Sequence, residues 1–406
     1  MDGSVAERLG RAAVVTACVQ AANVWSSGAG PVGQRWQRVA ELHGRVALAH
    51  LAYAGQGLPL VRFVDGLTGP LGPLLPPALR EVCDDISLVE GDQLSSPAFD
   101  LLRENLAPSV TAAQVAEWAW ESLSAEKIQG WLYGRLLATG TQAGYEAARL
   151  TVIRYAAGPL VAVNDLVKQV ELPRDGLYEP IPAWAWVGRG AGRYWFGCLV
   201  CGWPMRFQLD RVSCLYPPHV EAVGSMTMRF PRSGPPELAG WRRPRSATLV
   251  VPVEVAAQAR PVEEHVSLVR PVWRYSTIPG LEEWRLTQEL RKLTGVDVQL
   301  WPHTDAYDLL VEVPRRGWRR RVDLKDYTDP GQLAGVLGRH EALRQADMVI
   351  VVPPHRARQV GLLNERLRDS FRQPRRRFAM TTGQFLRLVR AVTAKPTGGG
   401  EDVTAA

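Results

Sequence analysis

Apolar positions in the C-terminal third of the chain follow two periods, and each period predicts a different element. Alternation or a short continuous apolar run predicts a strand, whereas a spacing of three to four residues predicts a helix. The predicted helices are 281–293, 332–345, 356–371 and 384–392, and the predicted strands are 296–300, 307–313, 321–325, 348–352 and 378–382. The order of the first seven elements is α-β-β-β-α-β-α, and a candidate last strand and a last helix come after them.

The rest of the chain divides into three further segments by composition. Most of the N-terminal segment shows helical apolar spacing, interrupted by a Gly- and Pro-rich stretch between Gly66 and Pro77. Strand-like alternation appears later, as between Ala247 and Val255. We therefore predict a multidomain α+β protein with a helical domain at 1–165, a zinc-binding knuckle at 180–225, a β-rich connector at 226–275, an α/β domain at 276–394 and a disordered tail at 395–406.

Two central strands of the α/β segment are predicted to form a hairpin. A basic turn at 314–320, favoured by Pro314 and Gly317, brings Asp308 beside Asp323 and Lys325. Because side chains alternate along a strand, Asp323 and Lys325 share one face, while the apolar residues at 322 and 324 point into the core. Two carboxylates and an ammonium at one sheet edge suit a divalent metal ion and a water-positioning base, the parts needed to hydrolyse a phosphodiester.

An Asp-x-Lys triplet is a weak motif on its own, because about half an occurrence is expected by chance in this composition. Lys325 is nevertheless unusual, since the chain contains 5 Lys and 43 Arg. A Lys in a sequence that otherwise places Arg indicates a need for a compact point charge. The alternative is a structural salt bridge on an edge strand, joining Lys325 to Asp323 and Asp308.

Four residues between positions 198 and 219 have the types and spacing of zinc ligands. Cys198 and Cys201 form a Cys-x2-Cys turn followed by glycine, and Cys214 and His219 supply two further ligands. A closed site of this kind is structural, because it stabilises a segment too small for its own core. The alternative is a set of buried thiols with an unrelated histidine. The assignment of His219 is the less direct one, because the two prolines before it constrain its approach to the site.

Charge is divided unevenly along a chain whose net charge is +7. Residues 1–180 carry 14 Lys and Arg against 19 Asp and Glu, so −5, whereas residues 181–406 carry 34 against 22, so +12. The acidic half is better suited to docking a protein than to binding a polyanion. Arginines around an aromatic ring suit a phosphate backbone. We therefore expect nucleic-acid contacts, with a solvated basic turn as the alternative, from Arg315, Arg316, Trp318, Arg319 and Arg320.

The sequence contains no run of eighteen apolar residues and no charged segment leading into an apolar stretch. We therefore expect neither a membrane span nor a signal peptide. The cysteine count is odd, and three of the five cysteines have metal-like spacing. A reducing compartment is indicated, so a cytoplasmic protein is expected.

The order of elements and the Asp308, Asp323 and Lys325 set resemble the PD-(D/E)XK, or restriction-endonuclease-like, superfamily over about residues 278–392. Asp308 matches the acid of the family's second strand, and Asp323-x-Lys325 matches the acid-x-Lys of its third strand. Tyr307 stands where the family often has proline, a position that varies widely. The resemblance implies a C-terminal α/β domain of the restriction-endonuclease-like fold.

The same resemblance implies a site for Mg²⁺ or Mn²⁺. Asp308, Asp323 and the backbone carbonyl of Leu324 would hold the ion, and Lys325 would orient or deprotonate the attacking water. The family often adds an acid on the first helix, and the sequence does not choose between Glu283 and Glu289.

The zinc ligands, the segment from Val272 to Leu281 and the Asp-x-Lys site follow one another in an order similar to the restriction-endonuclease-like protein encoded beside prokaryotic PIWI proteins of the PIWI-RE type. This narrower resemblance implies a DNA endonuclease in a defence system against invading DNA, with a PIWI-type protein and a helicase as partners. The first alternative is a non-cleaving scaffold or targeting subunit of the same fold that binds nucleic acid. The second is an RNA-processing nuclease, which would have to read the 2′-hydroxyl.

Overall fold

The computed structural model describes the chain in eight stretches: residues 10–28, 30–81, 84–91, 93–106, 120–188, 192–231, 234–244 and 258–394. The predicted tail at 395–406 and the predicted alternation between Ala247 and Val255 lie outside these residues. None of the described helices is long and apolar enough to cross a membrane.

Helices form most of the N-terminal part, as the apolar spacing predicts. The elements are α1 (Arg11–Ser26), α2 (Val32–Ala54), α3 (Leu60–Gly66), β1 (Val89–Glu90), β2 (Gln93–Leu94), α4 (Ser96–Leu106), α5 (Trp120–Leu137) and α6 (Gln142–Arg154). A hydrophobic core joins buried residues of α1, α2 and α4. Helix α6 begins at Thr141, whose hydroxyl accepts a hydrogen bond from the amide of Gly144 and so satisfies one unpaired donor of the first turn.

Three small antiparallel sheets occupy the middle of the chain. Their elements are β3 (Ala157–Pro159), α7 (Leu160–Gln169), β4 (Tyr178–Pro180), β5 (Tyr194–Trp195), β6 (Arg206–Gln208), β7 (Arg211–Ser213), α8 (Pro217–Val223), β8 (Ser225–Arg229), β9 (Glu237–Arg242), β10 (Arg260–Pro261) and β11 (His265–Leu268). Strand β11 lies between β3 and β4, β5 pairs with β10, and the remaining strands follow the order β6-β7-β8-β9.

The C-terminal part contains one five-stranded sheet. A helical turn at Arg270–Val272 and a π-helical turn at Trp273–Thr277 lead into the first long helix. The elements are α9 (Ile278–Arg291), β12 (Asp297–Leu300), β13 (Leu309–Val313), β14 (Trp318–Leu324), α10 (Pro330–Leu337), β15 (Met348–Val352), α11 (Val360–Phe371), β16 (Ala379–Thr381) and α12 (Thr382–Ala394). The strand order is β12-β13-β14-β15-β16. The β12–β13 and β13–β14 pairs are antiparallel, and the β14–β15 and β15–β16 pairs are parallel.

Helices cover both faces of this sheet. One face, which includes Leu309 and Val322, packs against apolar residues of α9 and α12. The opposite face, which includes Leu310 and Ile350, packs against α10 and α11. All five residues of β15 are buried, which accounts for the continuous apolar run of its sequence.

The structure confirms the predicted elements of this part and corrects several boundaries. Strand β14 begins at Trp318 rather than at residue 321, so the connecting turn is only Pro314–Gly317. Gly317 has a φ of 57°, a left-handed conformation that glycine adopts without strain. The helix predicted at 332–345 ends at Leu337, and a 3-10 turn at Glu341–Arg344 follows. The prediction also omitted β3 and α7, which lie where a helical domain was expected to end.

Candidate functional site

The β13–β14 hairpin brings Asp308, Asp323 and Lys325 to one end of the ladder. Leu309 pairs with Val322, and Asp308 stands one position before that pair, on the loop that enters β13. Its Oδ2 accepts a hydrogen bond of 2.5 Å from the amide of Leu324. Asp308 was predicted on the strand, but it lies one residue before β13. Its hydrogen bond to Leu324 still places it at the end of β14, as the predicted hairpin implies.

Asp323 and Lys325 lie on the same side of the strand end, as alternation predicts. The Nζ of Lys325 lies 2.5 Å from Oδ1 of Asp323, and both side chains are largely buried. Burial opposes the charge of Lys325, but the carboxylates of Asp323 and Asp308 raise its pKa above the ordinary value. Lys325 is therefore an ammonium in this environment.

Burial and neighbouring carboxylates raise the pKa of Asp308. Only 7% of the residue is exposed. Burial is the largest cause of a pKa well above the ordinary value, followed by the charge of Glu283; Lys325 counteracts both, and Asp323 adds to them. The site therefore concentrates negative charge that its own lysine does not fully balance.

The structure separates the two candidate acids of α9. Glu283 is buried, and its Oε2 accepts hydrogen bonds from Nη2 of Arg149 at 2.8 Å and from Nε1 of Trp301 at 2.5 Å. Glu289 lies on the exposed side of the helix and bonds to Lys292. Glu283 therefore faces the candidate site, and Glu289 does not belong to it.

Arg149 and its neighbours are the part of the site that the sequence did not indicate. Arg149 comes from α6, 134 residues before Glu283, and also bonds to Asp305. The hydroxyl of Tyr145 donates to Asp305 at 2.9 Å. No local motif could have signalled these contacts, because they join an apparently ordinary helix to the loop before β13.

That loop has an unusual backbone. Trp301 has a φ of 48°, and left-handed conformations recur at His303, Thr304 and Asp305, with φ values of 55°, 54° and 76°. Such residues are strained unless their surroundings hold them in place. Gln142 of α6 does so here, since its amide group donates to the carbonyl of Trp301 and accepts from the amide of Thr304.

The side chains at the hairpin end fit a hard divalent cation held by two carboxylates. Carboxylate oxygens are the ligands that Mg²⁺ and Mn²⁺ prefer, and a cation would relieve the repulsion around Asp308. Within the described residues, only the Cys/His set brings three or more Cys, His, Asp or Glu side chains within 4.8 Å of one another. Glu283, Asp308 and Asp323 therefore do not form a three-carboxylate group in this arrangement.

Cys198, Cys201, Cys214 and His219 form the Cys/His set, and all four are buried. The Nδ1 of His219 lies 3.7 Å from the sulfur of Cys198 and 3.6 Å from that of Cys214. A tetrahedral ion with Zn–S near 2.3 Å and Zn–N near 2.0–2.1 Å would separate these atoms by about 3.6 Å. The set can therefore hold a metal ion such as zinc. The two prolines before His219 do not obstruct it, because they form the first turn of α8.

The cluster and the hairpin are joined by buried polar contacts. Tyr216, whose amide donates to the sulfur of Cys214, donates its hydroxyl to Asp326 at 2.7 Å. Asp326 directly follows Lys325 and also bonds to Arg274 and Arg356. Burial alone would raise the pKa of Asp326, but the charges of Arg356 and Arg274 hold it well below its ordinary value.

The predicted nucleic-acid residues lie farther from the acids than expected. The turn joins the Val313–Trp318 pair, four ladder steps from the Leu309–Val322 pair, which corresponds to about 13 Å. Trp318 is buried near Phe385 and is the first residue of β14 rather than part of the turn, and its contact with nucleic acid stays a prediction. The arginines remain accessible to different degrees: Arg315 and Arg319 are exposed, whereas Arg316 and Arg320 are half-buried.

Residues 280–397 match the family model described as REase associating with pPIWI_RE. The matched segment begins in α9 and includes Glu283, Asp308, Asp323 and Lys325. It contains neither the Cys/His cluster nor α6, and it covers less than a third of the chain. No curated protein and no solved structure matches the chain.

Proposed function

We propose that this chain is a metal-dependent DNA endonuclease and a subunit of a prokaryotic defence system against invading DNA. The observation that carries the proposal is the convergence of Asp308, Asp323 and Lys325 at one end of the β13–β14 hairpin. A single buried salt bridge would not need a second buried acid whose pKa is raised. The match of residues 280–397 to the pPIWI_RE-associated family supports a restriction-endonuclease-like domain, and we assign that domain to the PD-(D/E)XK superfamily.

The roles of the residues follow from their positions. Asp308 and Asp323 would hold Mg²⁺ or Mn²⁺, with the backbone carbonyl of Leu324 as a further ligand. When bound, such an ion polarises the scissile phosphate and lowers the pKa of a water molecule. Lys325 lies beside Asp323 and offers an ammonium that orients the attacking water and offsets negative charge on the phosphate. Asp308 accepts a hydrogen bond from the amide of Leu324 and so fixes the backbone between Asp323 and Lys325.

The basic turn supplies a second contact with the duplex. A span of about 13 Å covers about four nucleotide steps when it runs along the axis of B-DNA, and in that orientation one bound duplex reaches both the acids and the basic turn. We assign phosphate contacts to Arg315, Arg316, Arg319 and Arg320, and Trp318 supports them from the core by lying 5.0 Å from the Arg320 guanidinium. A PIWI-type protein, named in the description of the matched family, and a helicase are the proposed partners.

A non-cleaving subunit of the same fold is the second candidate function. It is favoured by one observation, that each acid already has a protein donor. Lys325 bonds to Asp323, the amide of Leu324 bonds to Asp308, and Arg149 bonds to Glu283. Such a protein would bind nucleic acid through its basic residues without hydrolysing it.

A cleavage assay separates these functions. Supercoiled, linear and single-stranded DNA and a matched RNA are incubated with the full-length protein in Mg²⁺, Mn²⁺ or EDTA. We expect cleavage of DNA that EDTA abolishes and that Lys325→Ala removes while Mn²⁺ still binds, because both carboxylates remain. Lys292→Ala is the matched control, since Lys292 is exposed and pairs with Glu289 away from the site. DNA binding without cleavage by the wild-type protein in either metal would support the non-cleaving subunit, and cleavage of RNA alone would contradict both.

A further inference from the structure

The carboxylate of Glu283 has two protein donors and lies beside the proposed metal site without joining it. One oxygen, Oε2, receives both the Arg149 guanidinium and the Trp301 indole. Only 2% of Glu283 is exposed. These two donors orient the carboxylate by directing Oε2 toward α6 and the left-handed loop, so Glu283 would have to give them up to turn toward an ion.

Asp305 accepts hydrogen bonds through one oxygen, Oδ2, on the other side of the guanidinium, and its Oδ1 is buried without a partner among the described residues. Arg149 bonds to Asp305 through Nη1 and to Glu283 through Nη2, so its planar fork spans both carboxylates. The guanidinium also lies 4.4 Å from the ring centre of Trp301. Tyr145, one turn earlier on α6, donates its hydroxyl to Asp305. These contacts fix the guanidinium and both acids in one arrangement.

The charge of this group explains why the arrangement matters. Four acids lie at or beside the hairpin end, namely Glu283, Asp305, Asp308 and Asp323. Without the bonds from Arg149 and Trp301, Glu283 would compete with Asp308 and Asp323 for a divalent ion. Coordination by a different set of oxygens would move the ion away from the position beside Lys325.

We propose that Arg149 is a positioning residue of the candidate active site, which holds Glu283 in an internal pairing and leaves Asp308 and Asp323 as the carboxylate ligands of the metal ion. This inference rests on the proposed hydrolytic function of the same site. It assigns Glu283 an internal structural pairing instead of the role of a third metal-site acid. It also gives α6, which lies outside the matched segment 280–397, a part in organising the site.

Removing the cation has a distinctive consequence for binding and cleavage. Arg149→Met leaves Glu283 and Asp305 without their countercharge beside the ion, so Mn²⁺ should bind as tightly as to the wild type or more tightly. Cleavage should fall by about 10–100-fold, the usual effect of losing an outer partner of a metal site. A purely structural role for Arg149 would instead lower Mn²⁺ affinity, cleavage and thermal stability together.

The experiment is a double-mutant cycle on the full-length protein, with Arg149→Met, Glu283→Gln and the combined variant. Mn²⁺ affinity is measured by titration calorimetry, DNA cleavage in Mn²⁺, and thermal unfolding in EDTA. The combined variant restores the wild-type net charge of the group, so it should recover most of the cleavage that Arg149→Met loses. Arg149→Lys should recover less, because an ammonium cannot span both carboxylates. Arg154→Met, an exposed arginine at the end of the same helix, is the control.

The outcomes distinguish this inference from the proposed function. If the wild type cleaves DNA and Arg149→Met weakens Mn²⁺ binding, or the combined variant cleaves no better than Arg149→Met, the positioning role is wrong and the nuclease proposal stands. If the wild type binds Mn²⁺ through Asp323 but cleaves nothing, the nuclease proposal fails. The inference is then judged by whether Arg149→Met retains or strengthens Mn²⁺ binding. If Asp323→Asn leaves Mn²⁺ binding unchanged, both are wrong.

Discussion

Replacing Arg274 with methionine should destabilise the protein more than any exposed arginine substitution. Arg274 is 3% exposed and precedes α9. Its guanidinium donates to Oδ2 of Asp100 through Nη2 at 2.6 Å and through Nε at 2.9 Å, and it lies 3.3 Å from Asp326. Asp100 belongs to α4, so the pair joins the N-terminal helices to the chain that enters the five-stranded sheet.

The magnitude follows from what the substitution leaves behind. Removing one partner of a buried ion pair costs about 3–5 kcal/mol, because the other charge stays buried without compensation. Asp326 keeps Arg356 at 2.8 Å and the hydroxyl of Tyr216. Among the described residues, Asp100 keeps one side-chain hydrogen bond, from the hydroxyl of Tyr275 at 3.2 Å. We therefore expect the lower end of that range, about 3 kcal/mol, to come mainly from Asp100.

Urea unfolding at pH 7, followed by tryptophan fluorescence, measures this loss as a shift of the midpoint at unchanged slope. Arg270→Met is the matched control, because Arg270 is half-buried and lies one turn away. Its guanidinium lies 4.9 Å from the ring centre of Phe99. Losing this contact should lower the free energy of unfolding by no more than about 1 kcal/mol. Asp100→Asn combined with Arg274→Met should recover part of the stability. A loss below about 1 kcal/mol in Arg274→Met would refute the assignment of this pair as a buried tie.

Two further predictions concern the metal cluster and the basic turn. Elemental analysis of the purified protein should show about one zinc per chain. Cys198→Ser should lose the zinc, whereas Cys18→Ala, which removes a buried thiol of α1, should retain it. A full equivalent of zinc in Cys198→Ser would contradict the ligand set. Each arginine that no longer neutralises a phosphate should lower the slope of log K against log salt by about 0.9 on duplex DNA. Fluorescence anisotropy across a salt series should therefore show a flatter slope when alanine replaces two arginines of the turn, Arg315 and Arg316, and two of β14, Arg319 and Arg320. An unchanged slope, like that of the exposed control Arg45→Ala, would place the DNA elsewhere.

Local sequence patterns were sufficient for the hairpin and for the Cys/His cluster. Both depend on residues close together in the chain, where alternation, a turn with glycine and the spacing of thiols leave few arrangements. The start of β14 was not predicted because Trp318 and the two arginines after it were assigned to a polar turn, whereas in the structure they pair with β13. Burial of Trp318 against α12 depends on a tertiary contact that no local pattern carries.

Long-range polar contacts were beyond sequence reasoning for the same physical reason. Arg149 and Glu283 are 134 residues apart, and Arg274 and Asp100 are 174 apart. Their pairing depends on how α4 and α6 pack against the sheet, and a charged residue on an amphipathic helix ordinarily indicates only a solvent-facing side. This packing also determines which acid of α9 lies beside the hairpin end, because it buries Glu283 and leaves the side chain of Glu289 exposed.

The backbone around Lys325 is held by side chains from several separate parts of the chain, and this has a consequence for function. On one side, the amide of Leu324 donates to Asp308; on the other, Asp326 is bonded to Arg274, to Tyr216 beside the metal ligands and to Arg356 after β15. Any displacement of the Lys325 backbone would require breaking buried, charged hydrogen bonds, each of which contributes more than a neutral one. The precise placement of one ammonium therefore depends on the N-terminal helices, the Cys/His cluster and the sheet together. A fragment containing only the matched segment would keep all the candidate catalytic residues but would lack Tyr216 and Arg274, two of the side chains that fix them.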